Sequence, residues 1–210
     1  MTTAAGNLDA KRLYLVRHPE TDWNRQGRYQ GRTGRPFSPD GEASVQPLVD
    51  YLHWIAPDTI VSSPTAHAAA VAEQLAARIG PETTIELDDA WCEVDHGDWE
   101  GLRHEEVVKR FGPGAARRFD DPLHYARHGG ETLSEASRRV NQSWNSLVRN
   151  AGSAVVVISH ATPISLVLCH CVEVSPSKYR VFRVGNSSVT CIGLTGDTLI
   201  IDSLNHRIEP

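Results

Sequence analysis

Three short runs, RLYLV at 12–16, TIVSS at 59–63 and AVVVIS at 154–159, are rich in β-branched residues and almost free of polar interruption. A strand with one wet face alternates apolar and polar residues. Near-continuous runs of this length therefore predict strands covered on both faces, the pattern of a parallel sheet. Helical signals fall between them. Ser38-Pro39, Ser63-Pro64 and Ser175-Pro176 each set an N-cap serine before a proline that the first helical turn tolerates. Thr132 and Glu135 have the spacing of a capping box opening a helix to about 149. Weaker strands are expected at 83–87, 188–194 and 198–204, the last two joined by a turn at Thr195-Gly196-Asp197. This alternation predicts an α/β fold: a three-layer sandwich with a mostly parallel central sheet flanked by helices.

A chain of 210 residues, 40% of them hydrophobic, suffices for one buried core and is short for two. We expect a flexible tail over residues 1–10 and a single domain over 11–210. The stretch at about 96–130, richer in Gly, Pro, His and Arg, is expected to be a surface insertion with a short helix at 102–111. A formal net charge of −5 argues against a general nucleic-acid binder. No apolar run has the length of a membrane span, and the start lacks a secretory pattern, so a cytoplasmic location is expected. Cys92, Cys169, Cys171 and Cys191 are then expected to be reduced thiols. Cys169-His170-Cys171 has the look of a metal half-site, but no second pair completes it. It ends an apolar run, so core packing is the expected role.

The chemistry gathers where the strands end. The first run leads straight into Arg17-His18, the last straight into His160, and the middle one into a helix carrying His67. Ligands of open parallel sheets bind at the C-terminal strand edge, so these residues should face one crevice. Either strand-end histidine alone reads as an ordinary loop residue; the two together, one preceded by arginine, predict a site. Thr21, Asn24, Arg28 and Gln30 follow His18 closely, a concentration of anion-recognising groups. Arginine grips two phosphate oxygens at once, and imidazole is a nucleophile towards phosphorus. Phosphoryl transfer needs mostly positioning and charge neutralisation, which such a cluster supplies without metal.

The run RHPETDWN…R-x-QG resembles the RHG(E/Q)TxWN…RxQG opening of the histidine phosphatase, or phosphoglycerate mutase-like, superfamily. Four further blocks follow in that family's order: IVSSPTAHAA (SSPLxRA), WCEVDHGDWEGL (ExxxGxWEG), HGGETLSEASRRV (GGES) and VVVISHATPIS around the second catalytic histidine. Together they cover roughly residues 12 to 190. The resemblance implies that His18 accepts the phosphoryl group, that Arg17 and Asn24 bind its oxygens, and that His160 neutralises charge beside His18. Glu93 would protonate the leaving oxygen and then activate water. Its neighbours Trp91, Val94 and Trp99 are of the kind that raise a carboxyl pKa towards neutrality. Arg28, Gln30 and Ala161 complete the expected substrate-binding set.

Three departures cluster on the phosphate pocket. Pro19 replaces the glycine after the nucleophile, Ala161-Thr162 replaces a glycine pair, and His67 replaces the arginine of SSPLxRA. His67 shares a helix face with Val71 and Leu75. It is read as a weaker phosphate ligand, charged only below about pH 6.5 unless neighbours raise its pKa; the alternative is a packing residue. The implied function is a metal-independent, cofactor-free phosphatase hydrolysing a small phosphorylated metabolite through a phosphohistidine. Two alternatives are a repurposed member acting on a non-phosphate substrate and a non-catalytic regulator that binds a phospho-ligand. Retention of His18, Arg17, Glu93 and His160 argues against the regulator, and the compact 94–159 segment argues against a mutase. His124, Tyr125, Arg127 and His128 in the insertion are candidates to meet substrate, with a solvated loop the plainer reading. A homodimer is left open.

Overall fold

The computed structural model describes residues 11–209 except 127, 151 and 197, with the side chains of 116, 118 and 119 also set aside. The expected tail at 1–10 lies outside the described residues. In chain order the elements are β1 (Lys11–Arg17), α1 (Asp22–Arg25), α2 (Pro39–Ile55), β2 (Thr59–Ser62), α3 (Ala66–Ile79), β3 (Glu86–Leu87), α4 (His104–Phe111), α5 (Arg117–Asp120), α6 (Leu133–Asn150), β4 (Ala154–Ser159), α7 (Ala161–Cys171), β5 (Ser188–Thr195) and β6 (Thr198–Arg207). Among the described residues the sheet order is β3-β2-β4-β1-β5-β6. The pairs β3–β2, β2–β4 and β4–β1 are parallel, while β1–β5 and β5–β6 are antiparallel. The three nearly continuous runs thus form the buried parallel centre. The 83–87 strand shrinks to an exposed two-residue edge, since its polar residues have little to bury.

Successive side chains on a strand point to opposite faces, and each face has its own helices. Leu13 and Leu15 of β1 with Val155 and Val157 of β4 pack against Val140, Trp144 and Leu147 of α6 and Ile164, Val167 and Leu168 of α7. Val16, Ile60, Val156 and Ile158 pack on the other face against Val45, Leu48 and Leu52 of α2 and Val71 and Leu75 of α3. Each such fully buried aliphatic side chain contributes roughly 1.5–3 kcal/mol. This is the three-layer sandwich. Cys169 is buried, as expected from its apolar run, and all four cysteines are free.

Ser38 caps α2 by accepting from the Gly41 amide, and Pro39 occupies its first turn. The Thr132–Glu135 capping box is present: the Thr132 amide donates to Glu135 at 2.8 Å and the Glu135 amide to Thr132 Oγ1 at 3.1 Å. The 96–130 segment builds a small core of its own around buried Trp99, Val107 and Ala115, resting on Tyr29. Its two ends are clasped together, the Asp98 amide donating to His128 O at 2.8 Å and the Glu131 amide to Asp95 O at 3.1 Å. Gly130 permits that closure, because a Cβ there would lie 2.3 Å from Asp95 O.

Candidate active site

Strand register creates the site. Arg17 of β1 pairs with Ser159 of β4, so the next residue of each strand, His18 and His160, leaves the same sheet edge side by side. The His18 amide donates to Ser159 O at 3.1 Å, and the Ser63 amide donates to Ile158 O at 2.9 Å. The second bond carries the start of α3, and His67 with it, over the same edge. Ring centroids lie 4.3 Å apart for His18–His67, 4.9 Å for His18–His160 and 5.3 Å for His67–His160. All three rings are buried.

His18 Nδ1 lies 2.7 Å from Pro19 O. A carbonyl only accepts, so Nδ1 carries the hydrogen and Nε2 keeps its lone pair. Burial pushes the His18 pKa well below its ordinary value, helped by His67, His160 and Arg17, with the Pro19 carbonyl acting the other way. His160 is lowered likewise, by burial and then by His67, Arg17 and Arg139. Its Nε2 lies 3.0 Å from Ser63 Oγ and 3.2 Å from Thr65 Oγ1. The helix start that Ser63-Pro64 suggested in the sequence is not the one formed. Ser63 does not cap α3; Thr65 stands at that N-cap, and its side chain makes no capping bond. Both hydroxyls hold the histidine instead.

His67 is buried on the helix face it shares with Val71 and Leu75, as its spacing predicted. Its Nε2 is 3.5 Å from Gln30 Nε2, and its Nδ1 is buried without a partner. Burial, followed by the charge of Arg17, lowers its pKa to about 4. The neighbours therefore lower the pKa, and the ring is neutral across the physiological range in the unliganded protein.

Arg17 is half-buried and donates from Nη1 to Val184 O at 2.7 Å. Burial lowers its pKa while Glu93 and Glu20 raise it; a guanidinium stays charged under such a shift. Glu93 is buried, with Oε1 accepting from the Val94 amide at 2.8 Å and Oε2 from the Thr162 amide at 3.2 Å. The second bond ties it to the first turn of α7, which Ala161 opens. Asn24 and Gln30 form a net around the loop: Asn24 Nδ2 donates to Gln30 Oε1 at 3.3 Å, and Thr21 Oγ1 donates to the same oxygen.

Arg28 is committed elsewhere, donating to Gln26 at 2.8 Å, Gly101 O at 2.6 Å and Glu106 at 3.1 Å. It ties the loop after β1 to the 96–130 segment. His124 pairs with Asp121, Tyr125 packs on Trp99 and His128 stacks on Phe111; residue 127 lies outside the described residues. Four supporting residues have no clear signal in the sequence. The hydroxyls of Ser63 and Thr65 read as helix-start residues. Asn186 donates to His18 O at 3.2 Å and to Asn24 Oδ1 at 3.0 Å. Arg139 donates to the carbonyls of Ala90 (2.6 Å), Cys92 (2.8 Å) and Glu93 (3.2 Å), holding the acid-bearing loop against α6.

Comparison with known proteins covers most of this chain. The model of the histidine phosphatase superfamily, branch 1, matches residues 13–207. Phosphoserine phosphatase 1 of Hydrogenobacter thermophilus is 32% identical over 195 residues, with 92% of each chain covered. The crystal structure of the alpha-ribazole phosphatase from Shigella flexneri matches with a TM-score of 0.85 at 23% identity, over 95% of this chain and 98% of that one. That likeness speaks to the fold alone. Mycobacterial glucosyl-3-phosphoglycerate phosphatase in complex with VO3 matches with a TM-score of 0.81 at 25% identity, over 93% and 99%.

Proposed function

The chain belongs to the histidine phosphatase superfamily, and from that premise we propose that it hydrolyses a small phosphate monoester, without metal, through a phosphohistidine on His18. The observation that carries this reading is the bond from His18 Nδ1 to Pro19 O at 2.7 Å, which leaves Nε2 as a free nucleophile beside His160. Nε2 attacks phosphorus as the bond to the ester oxygen breaks, and protonated Glu93 delivers its proton to that oxygen. Water then attacks the phosphohistidine, Glu93 takes the water proton back, and the P–N bond breaks to release phosphate. Each half returns Glu93 and His18 to the state the other half needs.

Arg17 and His160 supply the fixed donors for charge that grows on the phosphoryl oxygens. Asn24 is linked to His18 O by two hydrogen bonds through Asn186, where it orders the loop as well as offering an amide. Hydrolysis with altered phosphate handling fits the neutral His67: the pocket keeps one guanidinium where the family motif provides two. The substrate class rests on relatives that act on small organic phosphates, by their names phosphoserine and glucosyl-3-phosphoglycerate.

Phosphoenzyme trapping tests the reading. Native protein with labelled substrate should yield an acid-labile, base-stable adduct, and His18→Ala should form none and turn nothing over. Label recovered on serine or aspartate ends the histidine mechanism.

A further inference from the structure

His18, His67 and His160 each present one ring nitrogen, and the three nitrogens lie within 4.8 Å of one another. Two of the rings are held by hydrogen bonds at one nitrogen each. His18 gives its Nδ1 hydrogen to Pro19 O at 2.7 Å, and His160 Nε2 is held by the Ser63 and Thr65 hydroxyls. Metal-binding histidines are oriented in this way, by a carbonyl or hydroxyl on the nitrogen that does not face the ion. His67 adds an independent sign: its Nδ1 is buried with no hydrogen-bond partner.

We propose that His18, His67 and His160 form a three-histidine site for a zinc-class divalent ion, whose binding switches off phosphoryl transfer by occupying the His18 nitrogen. The inhibitory half rests on the phosphatase reading; the site itself does not. Three imidazoles suit zinc, copper or nickel, whereas magnesium and calcium seek oxygen ligands. Zn–N bonds of about 2.0–2.1 Å in a tetrahedron need nitrogens about 3.4 Å apart. The cluster must therefore tighten by up to about 1.4 Å, within reach of small side-chain rotations. Arg17 opposes the ion's charge, and buried Glu93, which acts on Arg17, offsets part of it. An arginine at position 67 would leave two histidines and add a cation. The residue change that costs the pocket a phosphate fork thus supplies its third metal ligand.

Metal-stripped full-length protein should be titrated with Zn2+ by calorimetry and with Co2+ by visible absorption. The expected result is one ion per chain with four-coordinate Co2+ bands, unaffected by excess Mg2+. His67→Gln and His67→Arg should each weaken binding by at least the ~10–100-fold that losing an outer-shell partner costs. One equivalent of Zn2+ should stop nitrophenyl phosphate hydrolysis by the native protein, and chelator should restore it. No stoichiometric ion, or equal binding by native protein and folded His67→Gln, overturns the site; the latter would put the metal on exposed histidines. If circular dichroism shows His67→Arg unfolded, His67→Gln carries the comparison. Metal-free protein that is inert to esters yet binds one Co2+ through His67 sinks the phosphatase reading and leaves the site standing. Active protein indifferent to Zn2+ does the reverse.

Discussion

The rings of His18 and His67 meet edge-on with centroids 4.3 Å apart, at the position where the SSPLxRA motif sets an arginine beside the nucleophile. A neutral imidazole there would leave the lone pair of His18, the proposed nucleophile, less burdened by positive charge. It also gives up a bidentate grip on the transferred group. On the phosphohistidine reading proposed above, the cluster would favour attack at the expense of anion affinity.

Restoring the arginine should reverse that balance. His67→Arg is expected to tighten inhibition by inorganic phosphate by ~1–3 kcal/mol, about 5–150-fold, if the new fork reaches the anion as charged hydrogen bonds do. Inhibition constants at pH 7, measured with chelator present, check this. An unchanged constant together with a lowered melting temperature makes position 67 a packing position.

The same burial makes the fold acid-sensitive. An unfolded histidine takes up a proton near pH 6.5, whereas folded His67 does so only near pH 4. Between those values the unfolded chain binds more protons, so stability is greatest above 6.5 and falls as pH drops towards 4. The loss from His67 alone is roughly 3 kcal/mol at the acid end. His18 and His160 are shifted in the same direction and steepen it. Urea midpoints of metal-free protein from pH 7 to pH 4 should show this slope, and His67→Gln should flatten it. A slope unchanged in that variant assigns acid sensitivity to other groups.

Glu93→Gln keeps the side chain's shape and removes the proton. Esters with poor leaving groups should slow by ~10²–10⁴-fold. Nitrophenyl esters, whose leaving oxygen needs little protonation, should react with His18 far less impaired. Their phosphohistidine then lacks its base, so a burst of nitrophenol followed by slow turnover is expected. Rapid-quench kinetics on both ester types decide it; equal slowing with no burst removes Glu93 from the acid role.

The sheet and its paired histidines were legible because the signals were local. Each apolar run ended on the residue that faces the crevice, and parallel pairing of Arg17 with Ser159 did the rest. What stayed hidden depends on contacts distant in sequence. Ser63-Pro64 reads as a helix cap until His160 arrives from β4 to take the hydroxyl. Arg28 reads as an anion ligand until Glu106 and Gly101 O, carried by the insertion, occupy its guanidinium. The neutrality of His67 follows from burial against Arg17, which composition around position 67 does not reveal. The 83–87 run matched a strand locally, but at the sheet edge only β2 was there to pair with it.

Arg139 gives the last prediction, because it reaches the chemistry only through another residue. Half-buried on α6, it donates to the carbonyls of Ala90, Cys92 and Glu93 and pairs with Glu131. Truncation to alanine strands those partners, at a cost of about 1–3 kcal/mol for each acceptor that water fails to reach. A lower melting temperature alone is what any structural residue gives. A positioning role adds a second signature: the Glu93 carboxylate drifts from the leaving oxygen while His18 stays in place on β1. Arg139→Ala should therefore slow poor leaving groups more than nitrophenyl esters, copying Glu93→Gln in kind and falling short of it in size. Arg139→Lys, able to reach fewer of the carbonyls, should fall between. The leaving-group dependence of the phosphorylation step, read from kcat/KM and burst rates of the native protein and the three variants well below their melting temperatures, is the check. A uniform loss across esters would reduce Arg139 to a stabilising residue with no hold on the acid.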